Sequence, residues 1–437
     1  MTSISLDRPT LAAPHGAARL MTAFGSHSRA MSLSEHRVTY PAPPGGRART
    51  IPTIIDAVEA AGLRGRGGGG FPTARKLRAV VGGRGRPVVV VNGSEGEPAS
   101  RKDKLLMQRA PHLVLDGALL AARAVGADEI HVAAERSDPE ALAALGRAVA
   151  ERVAAQEWTV PIHLGALPPR YVAGEEAALV HFINGGDAKP TNVPPRPFER
   201  GVAGRPTLVN NVETLAHLAQ IWRWGPAWFR QVGLPDEPGT ILVTASGAIK
   251  QAGISEVPID IDLGKVARAF GGVSAPIKAV LVGGYYGTWL APDQLTGARL
   301  SNTHLKPIGS SVGCGALVFL GDGCGICETA RVLSWMAGET AGQCGPCVHG
   351  LAALASAFGE LARGTATAQT VSNIDRWGRQ IIGRGACSFP DGAVRLARRA
   401  MRAFDHDVGV HVSHGPCADA RRAPLLPIPI VDKTLWR

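Results

Sequence analysis

Gly62–Leu77 reads GLRGRGGGGFPTARKL. It contains G-x-G-x-x-G at Gly65, Gly67 and Gly70. A dinucleotide fingerprint should follow a strand and open a helix. The preceding stretch, Ile51–Ala61 (IPTIIDAVEAA), has a helical pattern instead, so a standard Rossmann reading is weak. The physical content survives. Consecutive glycines let backbone N–H groups approach an anion with no Cβ in the way. Arg64 and Arg66 add positive charge, and Pro72 suits the start of a helix, whose N-terminus also favours phosphate. The alternative, a flexible glycine linker, fits poorly between such regular apolar segments.

Around this loop, apolar runs alternate with Ala-rich helical stretches. Pro87–Val91, Ile130–Ala134 and Pro161–Leu164 read as strands; Leu113–Val125 and Pro139–Ala155 read as helices. That is α/β. Farther on, Gly239–Gly247 and Ala279–Val282 read as strands around a helix at Leu263–Phe270, and Gly321–Val410 is mostly helical. With 437 residues and 45% apolar content, two to four domains with ample core are expected. No apolar run is long enough to span a bilayer. Met1–Thr50 lacks the apolar core of a signal peptide, and residues 1–45 are expected to be a disordered or loosely packed extension.

The cysteines carry the second signal. Cys324, Cys327, Cys344 and Cys347 form two C-x-x-C pairs, and Cys387 follows in Gly-Ala-Cys-Ser. Such pairs can hold one metal or one cluster. Spacing alone favours zinc. The helical period of Glu328–Gly338 favours an iron–sulfur cluster, because zinc ribbons join their pairs through strands and turns. Buried thiols or disulfides are the plainer alternatives. Cys314 and Cys417 read as plain thiols. Cluster-type spacing without an export signal points to the cytoplasm. The net charge of +11 is spread over helix faces without a nucleic-acid motif. It suits docking of an acidic electron carrier of the ferredoxin kind.

Five motifs in order make the chain recognisable: GLRGRGGGGF, VNGSEGEP (Val91–Pro98), YVAGEEAAL (Tyr171–Leu179), GRPTLVNNVETL (Gly204–Leu215) and ETAGQCGPC (Glu339–Cys347). Together they resemble the flavoprotein subunit of respiratory NADH:quinone oxidoreductase and the related diaphorase subunits of NAD-linked hydrogenases and formate dehydrogenases. The resemblance runs from about Ile51 to about Val410 and implies five segments. These are an N-terminal extension (1–50), a Rossmann-like α/β FMN-binding domain (51–235), a ubiquitin-like β-grasp domain (236–310), a helical iron–sulfur domain (311–415) and a C-terminal tail (416–437).

The same resemblance implies the site. Gly62, Arg64, Gly65, Arg66, Gly67 and Lys76 match the phosphate loop of the FMN site. Asn92, Ser94 and Glu95 match its N-x-x-E element, with Ser94 where an aspartate is usual. Gly174, Glu175 and Glu176 match its G-E-E, and Asn210, Asn211 and Thr214 its N-N-V-E-T. Phe71 and Glu97 match residues that face NADH, so Glu97 and Glu176 stand as the catalytic carboxylates. Two stacking rings and a lysine are missing: the matching positions are Ala79, Arg196 and Val193. Losing a stacked ring removes on the order of 1 kcal/mol, and losing a cation on phosphate roughly 1.5–3 kcal/mol. NADH affinity is therefore expected to fall more than about a hundredfold, unless Arg196 substitutes for the cation. In the cluster motif, Cys344, Cys347 and Cys387 match three ligands of a [4Fe–4S] cluster, but the fourth position is Ala341. Cys324 or Cys327 is the expected substitute; the alternatives are a three-iron cluster, a cluster with one iron open to a non-protein ligand, or a zinc site on the four paired cysteines.

The expected activity is flavin-dependent electron transfer between NAD(P)H and a one-electron acceptor through FMN and the cluster. Partners would be ferredoxin-like proteins or other redox subunits. They would supply any membrane association, and no nucleic acid is involved. One alternative is a flavoprotein that exchanges electrons with a protein partner without productive NADH binding. Another is a non-catalytic assembly subunit with structural zinc.

Overall fold

The structure, a computed structural model, describes residues 18–21, 29–41, 54–157, 160–432 and 434–437. Four consecutive valines, Val88–Val91, are fully buried and start the central strand of the first sheet. A strand buried on both faces reads as a continuous β-branched run, and this one does. Its strands are β1 (Val88–Gly93), β2 (Ile130–Glu135), β3 (Ile162–Leu167) and β4 (Thr207–Asn211), all parallel, in the order β3-β2-β1-β4. Parallel neighbours need crossovers. Helices Lys102–Arg109 and Pro111–Val125 connect β1 to β2, and Pro139–Ala154 connects β2 to β3. Gly117 must be glycine. A Cβ there would collide with the Leu215 carbonyl, so helices Pro111–Val125 and Val212–Trp224 touch backbone to backbone.

The strand order places the site. The chain moves outward from β1 to β2 and β3, then returns to lay β4 on the other side of β1. The crevice between the carboxyl ends of β1 and β4 is a topological switch point, where open α/β sheets bind ligands. In the β1–β4 register, Val91 lies opposite Asn210 and Asn92 opposite Asn211.

A second, five-stranded sheet follows, made of β5 (Thr240–Gly247), β6 (Gly253–Pro258), β7 (Ala279–Val282), β8 (Thr288–Leu290) and β9 (Ala316–Leu320), in the order β6-β5-β9-β7-β8. β5 and β9 are parallel and the remaining pairs antiparallel. Helix Leu263–Ala269 buries Val266 and Ala267 against it. β9 lies beyond the expected boundary at 310, because its apolar run completes this sheet. The remainder is helical: Gly325–Glu339, Ala352–Arg363, Ala368–Ile381, Phe389–Ala403 and Asp405–His414 share a core around Met336, Phe358, Ile374 and Ala397. Among the described residues, no helix is long and apolar enough to cross a membrane.

The N-terminal extension corrects the expectation where it is described. The backbone N–H groups of Arg19, Leu20 and Met21 all donate to Glu256 Oε2 at 2.8–3.0 Å, and Leu20 is fully buried. Helix Leu33–Thr39 docks through His36 on Asp116 at 2.8 Å. These residues carry apolar and capping groups that find partners on the α/β domain and on β6 of the second sheet. The rest of the extension lies outside the described residues.

Candidate functional site

The glycine loop is closed at its base. Gly65 N–H donates to Phe71 O and Thr73 N–H to Leu63 O, both at 2.9 Å. Gly68 and Gly70 adopt φ of +111° and +60°, a region open to glycine without strain. The loop lies on the switch-point crevice: Arg66 N–H donates to Thr214 Oγ1 at 2.9 Å, and a Cβ on Gly67 would stand 3.2 Å from Asn211 Cβ. Helix Thr73–Val81 leaves the loop after Pro72.

The Arg66 side chain departs from the expected role. It is buried, and its guanidinium donates to the carbonyls of Thr240 (3.0 Å), Arg64 (2.9 Å) and Pro238 (3.4 Å). Arg66 therefore joins the loop to the second sheet and is not turned to a phosphate. Arg64 reaches the carbonyls of Gly70 and Asp236. Lys76 pairs with Glu176, tying the helix after the loop to the start of helix Glu176–Ile183. Gly62, at φ +71°, ends the preceding turn beside Arg230 and Pro238.

At the strand ends, Asn92 Nδ2 donates to Gly174 O at 2.8 Å and its Oδ1 accepts from Ser94 N–H at 3.1 Å. Glu95 braces its own loop, accepting from Ser100 Oγ, Asp103 N–H and Lys104 N–H. Glu175 caps its helix by accepting from Ala177 and Ala178 N–H, and burial raises its pKa. Asn211 caps helix Val212–Trp224 and donates to Asp103 Oδ2 at 2.7 Å. Beneath them lies a buried ion cluster. Lys102 Nζ is 2.7 Å from Asp103 Oδ1 and 2.8 Å from Glu213 Oε2. Burial pushes Asp103 up to about 7; Glu213 is buried too, yet Lys102 holds it down at about 2.

Two polar atoms on this floor, Ser94 Oγ and Asn210 Nδ2, are buried without a protein partner. Such atoms cost about 1–3 kcal/mol each when left unmet. They flank a glycine loop and a helix N-terminus, so a ligand with hydroxyl, phosphate and ring heteroatoms fits the donor set. The departure at Ser94 leaves a neutral hydroxyl facing Gly174, where a Cβ would stand 3.0 Å away.

The rim is different. Phe71 is 52% exposed, with the Arg75 guanidinium 5.4 Å from its ring centre. Val193 is 39% exposed, and Arg196 is exposed on the same loop, its backbone N–H donating to Glu199. Arg196 is close enough to Glu175 to act on its charge. Glu97 is buried. It accepts from Tyr285 N–H (2.8 Å), Tyr171 Oη (3.1 Å) and Ala99 N–H (3.2 Å), and burial pushes it up to about 7.

Cys344, Cys347 and Cys387 line one cavity together with Ala341, Thr340 and Phe389. Val172 and Pro190 of the α/β domain complete its wall. Tyr286 packs against both Tyr171 of the α/β domain and Phe389 of the cysteine cavity. Its ring packs 5.0 Å from Tyr171 and 6.0 Å from Phe389. Three converging thiols in a largely apolar cavity fit an iron–sulfur cluster.

Cys324 and Cys327 are absent from this cavity, which corrects the expectation that one replaces the missing ligand at Ala341. They open helix Gly325–Glu339 and meet His411 and Cys417. Cys417 is therefore not an isolated thiol. His411 and Cys417 escape sequence reading because each is a single residue about ninety positions from its partners. Cys314 is a half-buried thiol donating to Gly283 O at 3.6 Å.

Residues 58–220 match the Nuo51 FMN-binding domain, and residues 328–411 match the NADH-ubiquinone oxidoreductase-F iron-sulfur binding region. An NADH-quinone oxidoreductase F-type subunit of Rhizobium meliloti (strain 1021) is 30% identical over 378 residues, covering 83% of this chain and 90% of the relative. The corresponding protein of Aquifex aeolicus (strain VF5) is 30% identical, covering 81% of this chain and 84% of the relative. Among solved structures, a chain of the NAD+-reducing [NiFe]-hydrogenase in the H2-reduced state is 32% identical with a TM-score of 0.76. The match covers 83% of this chain and 62% of that one. The chain belongs to the NADH-quinone oxidoreductase-F family, electron-transfer oxidoreductase subunits with an FMN-binding domain and an iron–sulfur binding region.

Proposed function

We propose that this chain is the flavin-and-cluster module of a larger redox assembly, passing electrons from a nicotinamide donor to a protein partner. Bound FMN would supply the exchange between electron pairs and single electrons. The glycine loop, Asn92, Ser94, Asn210 and the N-terminus of helix Val212–Trp224 would hold it. Cys344, Cys347 and Cys387 would hold the cluster with three protein thiolates, because Ala341 offers none and Cys324 and Cys327 are engaged elsewhere. One iron of a four-iron cluster would then take a non-protein ligand, or the cluster would have three irons. The observation that carries the reading is the cavity that Cys344, Cys347 and Cys387 share with Val172, two residues before the Gly174 carbonyl that Asn92 binds. The β6-β5-β9-β7-β8 order with a parallel β5–β9 pair supports a β-grasp unit between the two centres. Seven unbridged cysteines support a reducing, cytoplasmic setting.

The test is an anaerobic comparison of the chain with its Cys387→Ser variant. Flavin bleaching by donor should persist in both, while transfer to a one-electron acceptor should collapse in the variant. Equal transfer in both would contradict the route through the cluster. A second reading, with a ferredoxin-like donor, is favoured by Ala79 and Val193 on the rim. Bleaching by reduced ferredoxin but not by NADH would select it.

A further inference from the structure

We propose that Cys324, Cys327, His411 and Cys417 form a structural zinc site, distinct from the iron–sulfur cluster, that fastens the C-terminal segment to the helical domain. Their four ligand atoms all lie within 4.8 Å of one another. Cys324 Sγ is 3.6 Å from His411 Nε2, and Cys327 Sγ is 3.8 Å from Cys417 Sγ. A tetrahedral zinc with bonds of about 2.3 Å to sulfur and about 2.0–2.1 Å to nitrogen has edges of about 3.8 Å (S to S) and about 3.6 Å (S to N). Both measured edges agree. A disulfide would bring the sulfurs to about 2.05 Å, and all seven cysteines are free. A cubane cluster gives each thiolate its own iron and spreads the sulfurs beyond the edge of one tetrahedron. Among the described residues, the thiols around Ala341 are not gathered this tightly, and this set is.

The surroundings prepare the ligands. His411 is buried, and its Nδ1 donates to the Leu361 carbonyl at 2.8 Å. That bond fixes the tautomer and leaves the Nε2 lone pair facing the sulfurs, as metal-bound imidazoles require. Cys327 N–H donates to Cys324 Sγ at 3.4 Å at the first turn of a helix, a setting that favours thiolate. Three of the four residues are buried. Four protein ligands leave no open position, which marks the site as structural and not catalytic. Cys324, Cys327 and Cys417 all fall outside the matched iron–sulfur region.

The location gives the site its consequence. Beyond Cys417 the chain runs along helix Gly325–Glu339, where Leu425 and Leu426 N–H donate to Glu328 Oε2 at 3.0 Å. It ends on the flavin domain. Arg170 donates to Asp432 O at 2.6 Å and lies 4.0 Å over the Trp436 ring, and Ala188 N–H donates to Trp436 O at 2.7 Å. Ala188 immediately precedes the rim loop that carries Val193 and Arg196. Zinc would thus anchor the root of a strap joining the helical domain to that loop.

The test is zinc, iron and labile-sulfide analysis of the full chain purified anaerobically, with zinc-edge absorption spectroscopy. The expected result is about one zinc per chain, bound by three sulfurs and one nitrogen. Zinc should be lost with iron retained in Cys417→Ser, retained with iron lost in Cys344→Ser, and retained in Cys417→His. Zinc loss should also expose the segment after Cys417 to limited proteolysis. Absence of zinc from the wild type would overturn the proposal. So would loss of iron and sulfide in Cys417→Ser, which would mean a second cluster. If Cys417→Ser does not fold, the wild-type zinc edge decides: a sulfur count other than three refutes the site.

Discussion

The floor and the rim of the flavin crevice are built on opposite principles. The floor is made of strand ends, helix caps and a glycine loop, and its working groups are largely backbone amides and side chains already held by other bonds. The rim is made of exposed side chains, of which Phe71 and Val193 are 52% and 39% exposed. A floor of that kind is hard to lose by single substitutions, since the fold itself presents it. A rim that depends on rings and cations is lost one residue at a time, as Ala79 and Val193 illustrate. On the proposed function, the floor would hold FMN, and the rim, without the rings and lysine that the resemblance implies, would hold the nicotinamide nucleotide weakly.

The sharpest way to break this comparison is to damage the floor. Gly67→Val sets a branched side chain against Asn211 Cβ and should abolish flavin retention. Gly69→Ala, whose Cβ would meet nothing within 4 Å, should keep it. Flavin absorbance after gel filtration reads both, and full occupancy in Gly67→Val would refute the placement. Next in size is the ion cluster under the floor. Lys102→Met leaves Asp103 and Glu213 buried without their cation, at a cost of about 3–5 kcal/mol. A denaturant midpoint close to wild type would show that the cluster does not hold the floor.

Rebuilding the rim should act in the other direction. Ala79→Phe with Val193→Lys should tighten NADH at least roughly tenfold, since a ring adds about 1 kcal/mol and a phosphate-bound cation roughly 1.5–3 kcal/mol. Flavin content should not change. Tighter flavin with unchanged NADH affinity would reverse the assignment of the two surfaces. The last effect concerns Glu97, which joins the floor to the second sheet through Tyr285. Its pKa is raised by burial to about 7 from 4.5, so the folded state holds the proton more tightly. That stabilisation is complete below about pH 4.5 and is lost as pH rises through about 7, at up to roughly 1.4 kcal/mol per pH unit. Glu97→Gln should flatten this part of the melting-temperature profile. Parallel profiles would exclude Glu97 as the titrating group.

The α/β half is legible because periodicity and motif coincide there. Val88–Val91 can only be a buried strand, and the motifs ending in Asn92 and Asn211 fall on adjacent strand ends. The second sheet is less legible: Ala316–Leu320 reads as the start of the helical region, and only its pairing with β5 and β7 assigns it. Arg66 misleads because an arginine in a glycine loop suggests a phosphate ligand, whereas three carbonyls around it absorb its guanidinium. The C-x-x-C pairs mislead more. Their spacing suggests one site, but the fold gives Cys324 and Cys327 to His411 and Cys417, long-range partners that local spacing cannot reveal. The docking of Leu20 likewise depends on Glu256, far away in sequence.

The central claim, an intact floor beneath a depleted rim, is tested most directly by the rate of flavin reduction in the purified chain as NADH is varied anaerobically. The account predicts a full complement of FMN that bleaches completely but half-saturates in the millimolar range, roughly a hundredfold weaker than an intact stacked site would give. Half-saturation at micromolar NADH would contradict it and would assign nucleotide binding to Phe71 and Arg196 without the missing ring and lysine.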